Sequence, residues 1–101
     1  MQIEFHQNQD TLSIQLAGEL DHHAAGQLFS SFSALPGAVP RRCALELSGL
    51  SFMDSSGIAV VLGLHRRLGA IGSELVVRGA PPQAMRVFHA AGVDKLIKFD
   101  V

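Results

Sequence analysis

Apolar and polar residues alternate near the start of the chain, where Leu12, Ile14 and Leu16 are separated by single polar residues. This period of two is typical of a β-strand with one buried face. A shorter alternation around Ile3 precedes it, and a polar stretch at residues 7–10 separates the two. The pattern predicts an antiparallel hairpin.

The next segment, residues 22–35, changes to a helical period. Its apolar residues are spaced three and four positions apart, which places them on one stripe of a helix; they are Ala24, Ala25, Leu28, Phe29 and Phe32. Asp21 stands at the N-cap position, and Pro36 and Gly37 follow where the helix should end. The sequence therefore predicts a first helix that packs through this stripe.

Strand-like and helix-like segments then alternate to the end of the chain. Residues 43–47, 75–78 and 96–99 have the short apolar runs of strands, whereas residues 56–70 and 82–91 have the period of helices. A strand, a helix and a second strand joined in this way usually form a right-handed crossover between parallel strands. The alternation predicts an α/β fold.

Loops that follow parallel strands leave the sheet at the same edge, where open α/β folds place their binding sites. The predicted fold has two such loops, at residues 18–21 and 48–54. We therefore expect these loops to lie close together, although they are far apart in the sequence.

Composition favours one folded domain that spans residues 1–101. Of the 101 residues, 48% are hydrophobic and 17% are charged, which is sufficient for one core. The formal net charge of −1 gives no electrostatic reason to bind nucleic acid or an anionic membrane. No stretch resembles an export signal or a membrane-spanning helix. We expect a cytoplasmic protein without nucleic-acid or membrane partners.

Catalytic, cofactor and metal motifs are missing from the sequence. Met53 stands where a nucleophile elbow around Ser55 would require glycine. His22 and His23 have no His or Cys partner at a recognised metal spacing. The single cysteine, Cys43, has apolar neighbours and is interpreted as a small buried residue of a strand. We predict that the protein is not an enzyme and has no cofactor.

The segment from Leu50 to Ile58 carries the strongest chemical signal, because it joins a strand to a helix through Asp54, Ser55 and Ser56. A helix N-terminus presents free N–H groups and a partial positive charge, so it stabilises an anion such as a phosphoryl group. On physical grounds alone, however, these residues are better explained as competing N-caps, with Gly57 easing a tight turn.

Asp21 has two possible roles. It should cap the first helix. If the two loops share an edge of the sheet, it also lies near Ser55, where its carboxylate could hold the hydroxyl or a metal bound to a kinase and later repel a phosphate.

The helix at residues 56–70 is apolar on nearly all sides of its first two turns, including Ile58 and Val61. A helix that packs on one face of a sheet should have a polar outer face. This surface therefore either binds a partner or is covered by neighbouring elements, and the sequence does not distinguish the two.

Two motifs together carry a family resemblance. Residues 18–25, GELDHHAA, and residues 47–63, LSGLSFMDSSGIAVVLG, resemble the sporulation-type anti-sigma-factor antagonists, which are small proteins with the STAS fold. The resemblance implies a single STAS domain with a mixed, mostly parallel sheet of four to five strands and about three helices.

The resemblance also implies a mechanism. The unphosphorylated antagonist binds an anti-sigma factor that is also a serine kinase, and so releases the sigma factor for transcription. The kinase phosphorylates Ser55, which dissociates the complex, and a metal-dependent serine phosphatase reverses the modification. Asp21 aids phosphorylation; Asp54, Ser56 and Gly57 shape the loop; Ile58 and Val61 contribute to the partner-binding surface. The free protein is expected to be a monomer.

Two alternatives to this circuit remain open. The same surface could bind another partner, as in a STAS subunit of a stress-sensing or transport complex. Nucleotide binding is less favoured, because the sequence has no phosphate-binding glycine loop.

Overall fold

Five strands form one sheet in the order β1-β2-β3-β4-β5. The computed structural model describes residues 1–33, 35 and 40–100. The strands are β1 (Gln2–Gln7), β2 (Thr11–Leu20), β3 (Arg42–Met53), β4 (Glu74–Arg78) and β5 (Lys98–Asp100). The helices are α1 (His22–Ser33), α2 (Ser56–Ala70) and α3 (Pro82–Ala90), followed by a 3₁₀ turn at Val93–Lys95.

The predicted hairpin is confirmed: β1 and β2 are antiparallel, with Ile3 opposite Leu16. Asn8 forms the turn between them, because its side-chain Oδ1 accepts hydrogen bonds from the backbone N–H groups of Asp10 and Thr11 at 2.9 and 2.8 Å. The polar stretch thus satisfies the backbone where the chain reverses.

All remaining strand pairs, from β2 to β5, are parallel. The mixed, mostly parallel sheet of the predicted α/β fold is therefore confirmed. Among the described residues, the sheet packs with three α-helices, as the helical periods predicted. The bounds of α2 are those predicted. Gly92, which follows α3, has a φ of 74° in the left-handed region that glycine tolerates.

The core lies between the helices and one face of the sheet. Leu12, Ile14 and Leu16 point into it from β2, as their alternation predicted. Cys43 on β3 is wholly buried there, and burial raises the pKa of its thiol to about 12. The thiol therefore stays protonated and behaves as a small apolar side chain.

The predicted loops at residues 18–21 and 48–54 are wrong in extent, because β2 continues to Leu20 and β3 to Met53. The pairing of β2 with β3 has two register irregularities, and at each of them β3 contains one extra residue. At one of them Gly49 lies opposite Ala17, and a Cβ there would stand 2.9 Å from the Leu16 carbonyl oxygen. The polar and glycine residues that suggested loops therefore belong to an irregular pair of strands.

Two smaller differences concern the start of β5 and one aromatic residue. β5 begins at Lys98 rather than residue 96, because a 3₁₀ turn leaves Leu96 exposed. Phe29 is 43% exposed rather than buried, with its ring beside Gly63 on α2. Pro36 and Gly37, expected to end α1, lie outside the described residues.

Among the described residues, no helix combines the length and the hydropathy needed to cross a bilayer.

Candidate functional site

The C-terminal ends of β2 and β3 meet at one edge of the sheet. Leu20 and Met53, the last residues of these strands, are partners in the parallel ladder. The backbone N–H of Asp54 then donates a hydrogen bond to the Leu20 carbonyl oxygen at 3.2 Å. Asp21 comes directly after β2 and Ser55 two residues after β3, so both residues lie at the edge of the sheet where these strands end, as predicted.

Asp54, rather than Ser55, caps α2. The Asp54 carboxylate accepts a hydrogen bond from the Ser56 N–H at 2.8 Å, and the Asp54 carbonyl accepts one from the Gly57 N–H at 3.1 Å. Ser55 has helical dihedral angles, φ −63° and ψ −16°, and its side chain makes no capping hydrogen bond. Of the three residues predicted as possible N-caps, Asp54 caps the helix. Ser55 is exposed, and its hydroxyl takes no part in the cap.

Asp21 caps α1, as predicted. Its Oδ1 accepts a hydrogen bond from the Ala24 N–H at 2.9 Å, and its backbone carbonyl accepts one from the Ala25 N–H at 2.9 Å. The Ala24 hydrogen bond lowers the pKa of Asp21 from its ordinary value, because it favours the charged form. The carboxylate is therefore a fixed negative charge at this edge near neutral pH.

Gly57 is buried in the first turn of α2. A Cβ at this position would overlap the side chain of Met53 and stand 3.2 Å from Leu20 Cδ2. Gly57 therefore shapes the site by letting the helix approach the ends of β2 and β3.

Ile58 and Val61, both predicted to bind a partner, differ in position. Ile58 is half-buried, packs against the core and lines a shallow groove beside Ser55. Val61 has no exposed surface, so its prediction as a partner-contacting residue is wrong. The helical period brings Val61 onto the face of α2 that packs on the sheet, together with Val60 and Leu64.

α3 forms the opposite wall of this groove through Gln83, Arg86 and Val87, none of which the sequence patterns had indicated. Gln83 makes two hydrogen bonds to the Met53 backbone: its Nε2 donates to the carbonyl at 2.7 Å, and its Oε1 accepts from the N–H at 2.9 Å. A polar residue in the first turn of a helix that follows a parallel strand was the available signal, because that turn lies at the same edge of the sheet.

His22 and His23 are exposed on α1, as predicted. His89 on α3 pairs with Asp94 at 2.8 Å. Within the described ranges, no group of three or more His, Cys, Asp or Glu side chains is arranged to hold a metal ion.

Sequence comparisons place this chain beside a known family. Residues 2–101 match the sequence model of the STAS domain. An anti-sigma F factor antagonist of Lysinibacillus sphaericus is 41% identical over 86 residues, which cover 83% of this chain and 73% of that protein. One from Paenibacillus polymyxa is 33% identical over 101 residues, covering 96% of this chain and 84% of that protein.

Two solved structures of an anti-sigma factor antagonist, SpoIIAA, have a similar fold. The unphosphorylated form aligns with a TM-score of 0.80 at 29% identity, covering 99% of this chain and 89% of that chain. The phosphorylated form of the Bacillus protein aligns with a TM-score of 0.74 at 32% identity, covering 99% and 92%. This fold therefore occurs in both states of a similar protein.

Proposed function

The chain belongs to the STAS domain family of anti-sigma factor antagonists, and we propose that it is a single-domain phosphoswitch whose unphosphorylated form binds an anti-sigma factor with serine kinase activity. Binding releases the sigma factor for transcription. Phosphorylation of Ser55 by the bound kinase ends the interaction, and a serine phosphatase restores the active form. The protein acts in the cytoplasm and is a monomer when free.

The exposed Ser55 hydroxyl is the observation that carries this proposal. Because Asp54 supplies the cap of α2, the hydroxyl is not needed to satisfy the helix end. Ser56 is less suited as the acceptor, since it is half-buried whereas Ser55 is exposed. These features favour Ser55 among the two adjacent serines.

The charges around Ser55 suggest how phosphorylation ends binding. A phosphoryl group adds about −2 charge. The N-terminus of α2 favours an anion at this position, whereas the carboxylates of Asp21 and Asp54 lie at the same edge and oppose it. Because the helix N-terminus offsets the repulsion from the two carboxylates, the helix stays intact while the surface becomes more negative. A partner that docks on this edge then meets an unfavourable charge.

The rest of the docking surface is the groove between α2 and α3. Ile58 and Val87 give it apolar contacts, and Arg86 gives it a positive charge. A partner that covers this groove also covers Ser55, which places the acceptor hydroxyl within the kinase interface.

A phosphorylation assay with the cognate anti-sigma kinase and ATP tests the proposal. We expect one phosphate, located on Ser55 by mass spectrometry, and loss of kinase binding after modification. Ser55→Ala should bind the kinase without being phosphorylated, and Ser56→Ala is the matched control that should still accept phosphate. Stoichiometric phosphate on Ser56, or none on the wild-type protein, would contradict the proposal.

A further inference from the structure

Gln83 joins α3 to the end of β3 through both of its amide atoms. The Nε2 donates to the Met53 carbonyl at 2.7 Å, and the Oε1 accepts from the Met53 N–H at 2.9 Å. The side chain therefore pairs with Met53 as the backbone of a neighbouring strand would. The two groups are 30 residues apart in sequence, so this contact depends on the tertiary fold.

The sheet itself leaves these Met53 groups without a partner. β4 pairs with β3 only as far as the Glu46–Arg78 match, whereas β3 continues to Met53. Successive residues of a strand direct their backbone groups to opposite sides. The Asp54 N–H bonds to Leu20 on β2, so the Met53 N–H and carbonyl face the side that β4 has vacated. Backbone groups that leave solvent without a partner are costly, and Gln83 supplies both bonds.

The clamped residue lies two positions before Ser55. Three contacts thus hold the turn that presents the hydroxyl: Gln83 on one side of Met53, the Leu20 carbonyl on the Asp54 N–H, and the Asp54 carboxylate on the Ser56 N–H. Only the first of them comes from α3. Gln83 also lines the groove next to Ser55, so the clamp lies within the proposed docking surface.

We infer that Gln83 is a positioning residue for Ser55, which holds the Met53–Ser56 turn in the form that the kinase binds; this rests on the proposed phosphorylation of Ser55. Without the clamp, the turn samples other forms, and only a fraction of the free protein is ready to bind. The apparent affinity falls by that fraction. Once the kinase has bound, its own contacts hold the turn, and the chemical step is unchanged.

The chemistry of the side chain selects the variants. Gln83→Met keeps the length and apolar stem but removes both the donor and the acceptor. Gln83→Glu keeps an acceptor for the Met53 N–H but, when ionised, has no donor for the Met53 carbonyl and directs a carboxylate oxygen at it. Both variants should weaken the clamp at neutral pH.

Ser73→Ala is the matched control. Ser73 Oγ also joins two distant segments through a hydrogen bond to a backbone carbonyl, that of Pro40, at 2.7 Å. Ser73 immediately precedes β4, at the opposite edge of the sheet from Ser55. This variant therefore loses a comparable tertiary hydrogen bond without affecting the Met53–Ser56 turn.

The experiment measures steady-state phosphorylation by the cognate kinase together with amide hydrogen exchange at Met53. For Gln83→Met we expect about a fivefold to tenfold rise in KM with little change in kcat, and faster exchange at Met53. Ser73→Ala should keep the wild-type KM even if its thermal stability falls as much as that of Gln83→Met.

Each other outcome overturns the inference in a distinguishable way. A wild-type KM for Gln83→Met, with Ser55 still phosphorylated, refutes the positioning role and leaves the proposed function standing. An equal rise in KM for Ser73→Ala assigns the effect to general stability. Failure of the wild-type protein to accept phosphate on Ser55 removes the proposed function and this inference with it.

Discussion

The side chains at this edge of the sheet have different roles in Asp21, Asp54 and Ser55. The two carboxylates cap α1 and α2, each by accepting a backbone N–H. The Ser55 hydroxyl takes no part in the caps and stays exposed. Because the Ser55 side chain makes no capping hydrogen bond, its modification should not destabilise the N-terminus of α2, and this property suits a reversible switch.

At Asp21 the structure predicts an acid-dependent contribution to stability. Folding lowers the pKa of this carboxyl, so its contribution is fully present above the unfolded value near 3.8 and is lost as pH falls through the lower folded value. Asp21→Asn keeps a side-chain acceptor for the Ala24 N–H but cannot titrate.

Urea unfolding between pH 2 and pH 7 measures this effect. The stability difference between wild type and Asp21→Asn should shrink below about pH 4, where the unfolded carboxyl begins to protonate. A difference that stays constant across this range would show that the Asp21 charge contributes nothing to folding.

Ile58 and Val61 should separate partner binding from stability. Ile58→Ala removes apolar surface at the groove and should weaken kinase binding, whereas Val61→Ala creates a space in the core and should cost about 2 kcal/mol of unfolding free energy with affinity unchanged. Calorimetric titration and chemical denaturation measure the two quantities. The opposite assignment of effects would place Val61, not Ile58, at the interface.

At the scale of elements, the site depends on how closely α2 approaches the ends of two strands. Met53 and Leu20 both lie against Gly57, with no room for a side chain between them. The irregular pairing of β2 and β3 brings Leu20 and Met53 level at the sheet edge. Helix and strand pair therefore form one packed unit beneath Ser55.

Gly57→Ala should cost about 1–3 kcal/mol of unfolding free energy, because the added methyl group overlaps the Met53 side chain. Gly69→Ala is a matched control on the same helix: nothing lies within 4 Å of its Cβ position, and the higher helix propensity of alanine should stabilise the protein by up to about 1 kcal/mol. Denaturant midpoints measure both. Equal effects in the two variants would mean that helix propensity, and not packing against Met53, determines the change in unfolding free energy.

At the scale of the whole molecule, the switch is expected to alter a surface and leave the fold in place. Ser55 is attached to a helix end that tolerates an anion, and the core beneath it is closed by wholly buried residues such as Met53 and Val60. We therefore expect phosphorylation to change what the edge of the sheet can bind while leaving β1 and β4 unchanged.

Amide chemical shifts of the two forms measure this. Large changes should be confined to the start of α1, the Met53–Ser56 turn, the first turns of α2 and the start of α3. Widespread shifts in β1 and β4 would indicate a remodelled sheet.

The sequence by itself determined the order and type of the elements, since periods of two and 3.6 report which face of a segment is buried. It also located Asp21 and Ser55 at one edge, because parallel strands end on the same side. The family motifs, not periodicity, selected Ser55 over Ser56 and the sigma-factor circuit.

Tertiary structure decided what depends on contacts between distant segments. It extended β2 and β3 into residues with loop-like composition, because strand pairing satisfies their backbone groups. It buried Val61 and exposed Phe29, although both belong to apolar stretches of helices. Finally, it brought Gln83 to Met53 where β4 ends before β3 does. The position of Gln83 in the sequence could indicate this edge of the sheet but not the partner 30 residues away.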